Sequence, residues 1–199
     1  AMRALGHRLK VEAIDPAGRV DYAKLRTSPT FTDLGNTSQL LRGIDPAEIN
    51  DDADRTAFWI NIYNVLAIHG VLAVRIRKSV MEIPSFFGRV AYQVGDFVLT
   101  LDEIENGVLR RNAPHPATRK RLFDDEDPRL ELCPSRIDPR IHAALVCAST
   151  SCPPIAFYEA SRLDDQLELA TLHYIAAAVH DAPLHTSTSP SLVSASVSA

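Results

Sequence analysis

The stretch DADRTAFWINIYNVLAIHGVLAV, Asp52 to Val74, decides what kind of fold this chain adopts. Phe58, Ile62, Val65, Leu66, His69 and Leu72 follow a three- and four-residue spacing, so one face of a helix is apolar along its length. Trp59 and Ile60 widen that arc, which predicts a central helix nearly enveloped by protein. Asp54 or Thr56 is placed to cap its start. Asn61 and Asn64 lie three apart on one side of this helix, with Tyr63 between them, and a buried amide needs hydrogen-bond partners. The two either tie down a neighbouring loop or line a cavity. His69 reads as a core histidine with a satisfied ring.

Around this helix the composition allows one globular domain. The chain has 199 residues, 46% hydrophobic and 23% charged, enough apolar material for a core. A net charge of -4 and a pI near 6.0 leave no basic face for nucleic acid. The longest apolar run, VLAIHGVLAV (Val65 to Val74), is interrupted by His69 and Gly70 and is about half the length of a bilayer crossing, so no membrane span is expected. Three cysteines, an odd number, do not make a disulfide framework. Reduced thiols and a cytoplasmic setting are the expectation. The opening AMRALGHRLK carries no signal-peptide pattern but has the look of a boundary, which leaves a removed leader open.

Toward the N-terminus, GRVDYAKLRTS (Gly18 to Ser28) predicts a short helix or extended arm, and SQLLRGIDPAEI (Ser38 to Ile49) helical material broken at Gly43 and Asp45-Pro46. Beyond Pro84, VAYQV and DFVLTL alternate as a hairpin turning at Gly95-Asp96. Asp102 is then expected to cap a helix with Ile104, Val108 and Leu109 facing inward. Glu105 at the edge of that face is either a first-turn acid serving the dipole or a functional carboxylate, and Arg110 suits the helix end. Arg111 to Arg140, rich in proline and charge, reads as a surface excursion with Cys133 as a bystander. IHAALVCA predicts an interior strand, and Leu163 to Asp181 an amphipathic helix through Leu163, Leu167, Ala170, Leu172 and Ile175. The expected organisation is an N-terminal boundary segment (1–17), one domain (18–181) and a serine-rich tail (182–199) that is frayed or a weak edge strand.

The chemistry-bearing residues gather in RIHAALVCASTSCPP, Arg140 to Pro154. A nucleophilic thiol needs an imidazole within reach, and that imidazole needs a third group to fix its tautomer. On a regular strand His142 and Cys147 stand roughly 16 Å apart at about 3.3 Å per residue, on opposite faces. Cys152 follows a loop that can fold back, so His142 with Cys152 is the preferred pair and Cys147 the alternative thiol. Three other readings stay open. The cysteines can be structural, they can close a small disulfide, or they can join His142 at a metal, although H-x4-C-x4-C is not a tight zinc spacing.

GRVDYAKL, AFWINIYNVLAIHGVL, LTLDEIENGVLR and IHAALVCASTSCPPI, in this order, resemble the domain-of-unknown-function 547 family. The resemblance extends from about Gly18 to the helix ending near Asp181, and FWINIYN and CASTSCPP are its most specific elements. It implies an α+β fold, helices packed on a small antiparallel sheet, with a core like that of papain-type cysteine peptidases and transglutaminases. It further implies that His142 matches the family's histidine, that Cys152 or Cys147 supplies the thiol and that Glu105 orients the imidazole. Two departures stand out: the core helix carries Asn61 and no cysteine, and Asn106 stands where relatives often have histidine.

The expected activity is a thiol-dependent hydrolase or acyltransferase acting on a small peptide or peptide-like amide. Asn61, Asn64, Tyr63 and Arg110 line the site, and either asparagine, with a backbone N–H near Cys152, serves the oxyanion. Neither cofactor nor metal is expected. The alternative is a non-catalytic binding or scaffold domain, with a protein partner, whose Cys, His and Asn cluster is structural.

Overall fold

The structure is a computed structural model that describes residues 8–9, 11–12, 15, 20–76, 79–146 and 155–180, the side chains of 178–180 excepted. Helix α1 (Tyr22–Arg26) begins at Asp21, whose carboxylate accepts from the Lys24 N–H at 2.9 Å, and it buries Leu25 completely. Helix α2 (Pro29–Leu40) starts at Ser28 with proline at its first position and buries Leu34. The breaks at Gly43 and Asp45-Pro46 fall as expected, between 3-10 turns at Leu41–Gly43 and Pro46–Glu48.

Helix α3 (Asp52–Ala73) is the centre of the molecule. Its cap is Asp51 and not Asp54 or Thr56: the Asp51 carboxylate accepts from the N–H groups of Ala53 at 2.9 Å and Asp54 at 3.0 Å. Trp59, Ile60 and Ile62 are fully buried on different sides, so the helix is enveloped as its sequence predicts. By length and composition α3 could cross a bilayer, but 78% of its most apolar window is buried inside the fold.

Strands β1 (Ala91–Val94) and β2 (Phe97–Thr100) form a two-stranded antiparallel sheet, with Ala91 opposite Thr100 and Val94 opposite Phe97. Gly95 turns the hairpin at φ +56°, and its N–H donates to Leu41 O at 2.9 Å. A Cβ there would come within 2.5 Å of Ile44 O, so both backbone conformation and close packing require glycine. The architecture is therefore α+β, with many helical elements around α3 and one small hairpin.

After β2 the chain enters a π-helix, Glu103–Leu109. Its cap is Thr100, not Asp102. Thr100 Oγ1 accepts from the Glu103 N–H at 3.2 Å, and Glu103 Oε2 accepts from the Thr100 N–H at 2.9 Å, a reciprocal box. The wide helix shows in N–H donations five residues back, Arg110 to Glu105 O (2.9 Å) and Asn112 to Gly107 O (2.7 Å). Gly107 admits the Phe123 ring, which a Cβ would meet at 2.3 Å. Ile104, Val108 and Leu109 are buried as expected.

The charged excursion does more than cover the surface. Phe123 and Leu132 enter the core, Arg129 stacks 4.0 Å over the Phe123 ring and pairs with Glu103 at 2.7 Å, and Leu132 O accepts from Trp59 Nε1 at 3.2 Å. The predicted strand at IHAALVCA is instead a single helical turn, α4 (Ile141–Ala144). Asp138 and Arg140 start it: Asp138 O accepts from the Ile141 N–H at 3.2 Å, and the Arg140 guanidinium folds onto the Asp138 carboxylate at 2.7 Å. A short apolar run does not distinguish a strand from a buried turn of helix, and here the preceding turn decides. Helix α5 (Leu163–His180) buries Leu163 and Leu167, whereas Leu172 and Ile175 are about half exposed, so only its first part packs on the domain. The serine-rich segment 182–199 lies outside the described residues.

Candidate functional site

Three elements bring Tyr63, Glu105 and His142 together. Tyr63 projects from α3, Glu105 from the π-helix and His142 from α4. His142 Nδ1 stands 3.3 Å from Glu105 Oε1, and the Tyr63 hydroxyl donates to Glu105 Oε2 at 3.2 Å. Both carboxylate oxygens are thereby engaged, which fixes the group. A carboxylate facing Nδ1 favours the tautomer with its proton there and leaves the lone pair on Nε2. The His142 side chain is 48% exposed and Glu105 25%, so the pair lies at the surface and is open to a reactant.

The asparagines tie backbone. Asn64, fully buried, donates to Ala144 O at 3.0 Å and accepts from the Val146 N–H at 2.9 Å. Asn61 donates to Tyr158 O at 2.8 Å and accepts from the Tyr158 N–H at 2.9 Å. Of the two roles expected for them, the amides perform loop-tying. They hold the chain just before and just after the stretch that carries two of the cysteines. Cys147 and Cys152 themselves lie outside the described residues. Cys133 is buried, its thiol facing Gly107 O at 3.5 Å and pushed above the ordinary range by that burial. Among the described residues, no three His, Cys, Asp or Glu side chains converge as metal ligands would.

Glu105 also borders an open cleft of roughly 610 Å³. It is lined by Tyr63, Asp102, Asn106 and His115 together with Ser85, Phe87 and Gly88. Ser85 holds the left-handed conformation, φ 56°, which a non-glycine residue adopts at a cost of about 1 kcal/mol or more. Arg110 reaches this cleft indirectly. Its guanidinium donates to Asn106 Oδ1 at 2.6 Å, and Asn106 Nδ2 donates to Asp102 Oδ1 at 2.7 Å. Asp102, Asn106 and Arg110 follow an i, i+4 spacing in the sequence, a signal that competes with the expectation of Asp102 as a cap. His115, between two prolines in the charged excursion, carried no sequence signal of its own.

His69 is satisfied as expected. Its Nδ1 lies 2.6 Å from the Tyr92 hydroxyl, its ring meets Phe31 edge-on, and burial lowers its pKa.

The fold and site define a helix-centred α+β domain with a carboxylate-oriented histidine beside a cleft. The chain belongs to the family described as protein of unknown function, DUF547, whose sequence profile covers residues 46–175. That span contains Tyr63, Glu105, His142 and both asparagines. No curated protein and no solved structure gave a significant match.

Proposed function

We propose that this protein is a thiol-dependent hydrolase or acyltransferase for peptide or peptide-like amides, in which Glu105 orients His142 and a cysteine of segment 147–154 is the nucleophile. The observation that carries the reading is the Glu105 to His142 contact at 3.3 Å, made between elements far apart in sequence. The anchoring by Asn61 and Asn64 supports it, because the segment with both thiols departs from and returns to the same stretch of α3 that presents Tyr63. With His142 on a helical turn, the strand argument against Cys147 no longer applies, and either thiol can be the nucleophile. The proposed likeness to papain and transglutaminases rests on this histidine and carboxylate, with the thiol drawn from segment 147–154 and not from the core helix.

In this mechanism the thiol proton passes to His142 Nε2 and the thiolate attacks the amide carbon. The C–N bond breaks as the imidazolium returns that proton to the leaving amine, giving a thioester. Water, or an acceptor amine, then attacks the thioester and releases the enzyme thiol. Positioned base catalysis of this kind contributes about 10²–10⁴ in rate. Asn61 and Asn64 serve by anchoring Tyr158 and Val146, the described residues on either side of segment 147–154.

Iodoacetamide labelling near neutral pH tests the reading. One cysteine of 147–154 should react fastest, and His142→Ala should slow it by at least about 100-fold. Slow labelling of all three cysteines, indifferent to His142, would overturn it. A non-catalytic binding domain is favoured by one observation, the half-exposed Leu169, Leu172 and Ile175 on α5, and that labelling outcome would leave it standing.

A further inference from the structure

Asp102 and His115 border the same cleft as Glu105 but stand apart from the pairing with His142. Nδ1 of His115 accepts from the backbone N–H groups of Ala117 at 3.1 Å and Thr118 at 3.3 Å. A ring nitrogen that accepts carries no proton, so the neutral ring holds its proton on Nε2. Asp102 Oδ1 lies 3.4 Å from that nitrogen, longer than an ordinary N–H···O bond. The N–H is thus a fixed donor that is only weakly satisfied. Asp102 is fixed as well: Arg110 holds the oxygen of Asn106, and the Asn106 amide nitrogen holds Asp102 Oδ1. Its Oδ2 has no hydrogen-bond partner among the described residues. The cleft therefore presents one donor and one acceptor side by side.

We infer that this cleft is a subsite for an extended, uncharged peptide segment, with His115 Nε2–H donating to a substrate carbonyl and Asp102 accepting the N–H of the same residue. In an extended chain the N–H and C=O of one residue point to the same side, as they do when paired strands exchange both bonds. The carboxylates of Asp102 and Glu105 oppose a phosphate or carboxylate ligand. Arg110, behind Asn106, offsets part of that negative charge and reduces what a free ammonium would gain. Phe87, half-buried in the lining of the same cleft, offers an aromatic surface to a neighbouring side chain. The subsite names the substrate class of the site proposed above and rests on that reading for its purpose, but its binding chemistry is testable separately.

The test is NMR titration of the full chain carrying ¹⁵N- and ¹³C-labelled histidine. The probes are N-acetyl-alanyl-alanine methylamide, inorganic phosphate and n-butylammonium at equal concentrations. Long-range ¹⁵N couplings should place the His115 proton on Nε2, and the peptide should shift the His115 ring signals saturably. His115→Phe and Asp102→Ala should each weaken the peptide by about tenfold, the loss of one well-formed hydrogen bond. A proton on Nδ1, an unmoved His115, or an equal response to phosphate or the amine would overturn the inference. Should either variant not fold, the wild-type couplings and titration decide alone. The titration is repeated on His142→Ala, which lacks the imidazole that activates a thiol. Peptide binding retained there supports the subsite even if the labelling result removes the enzyme reading, whereas normal labelling with no peptide effect on His115 overturns the subsite alone.

Discussion

Among the described residues two histidine and carboxylate pairs meet, their acids Asp102 and Glu105 close together at the start of the π-helical segment, and they are built in opposite senses. In the first, Glu105 meets His142 at Nδ1, the ring is about half exposed, and Nε2 has no partner among the described residues. In the second, Asp102 faces His115 at Nε2, while Nδ1 is occupied by two backbone N–H groups. The same two side-chain types give a nitrogen able to take a proton in one place and a fixed donor in the other. Which ring nitrogen the backbone or carboxylate occupies, and not the presence of the pair, sets what each can do.

The sharpest way to break this comparison is to neutralise each carboxylate in turn. Glu105→Gln should slow cysteine labelling by about 100-fold, and Asp102→Asn by at least about tenfold less, measured as iodoacetamide rate constants. Equal effects would erase the distinction between the pairs. Next in size, Asn64→Ala removes two buried hydrogen bonds that hold the chain after α4, and should cost about 2–3 kcal/mol in urea unfolding. Asn61→Ala, less buried, should cost about 1 kcal/mol less.

Gly107→Ala strikes the segment that both pairs share. A methyl there meets the Phe123 ring, and about 1–3 kcal/mol of overpacking should appear as a lowered urea midpoint. The smallest effect belongs to His69, a histidine with no carboxylate. Burial lowers its folded pKa below the ordinary 6.5, so between those values the unfolded chain binds more protons. Its contribution is therefore complete above pH 6.5 and is lost as pH falls toward the folded value. His69→Gln should flatten this part of the stability profile, read from urea curves taken between about pH 7.5 and pH 5.5.

Periodicity made α3 and the hairpin legible, because an enveloped helix and a Gly-Asp turn each leave a local signature that tertiary context did not override. Glu105 and His142 were named from the sequence, and the structure brings them together. Where local readings failed, a neighbour had taken over the expected role. Asp51 and Thr100, two to five residues upstream of the expected candidates, act as the caps, and the Asp138 to Arg140 turn bent an apolar run into a helix. His115 could not be read because its significance comes from Ala117, Thr118 and Asp102, contacts that no periodicity encodes. The asparagines were legible as a choice between two roles, and only the position of Val146 and Tyr158 made that choice.

Asn61 and Asn64 stand about 4.5 Å apart along the helix axis, so the chain between Val146 and Tyr158 leaves and rejoins α3 at nearly one place. Closing a longer segment between the same two anchors costs little, since a doubling of length adds only about 0.6 kcal/mol of closure entropy. Ile155 within that span is buried in the core and a cysteine of 147–154 is the proposed nucleophile, so what the two anchors leave open is length and not sequence. The two amides thus fix where the segment begins and ends, independently of how long it is.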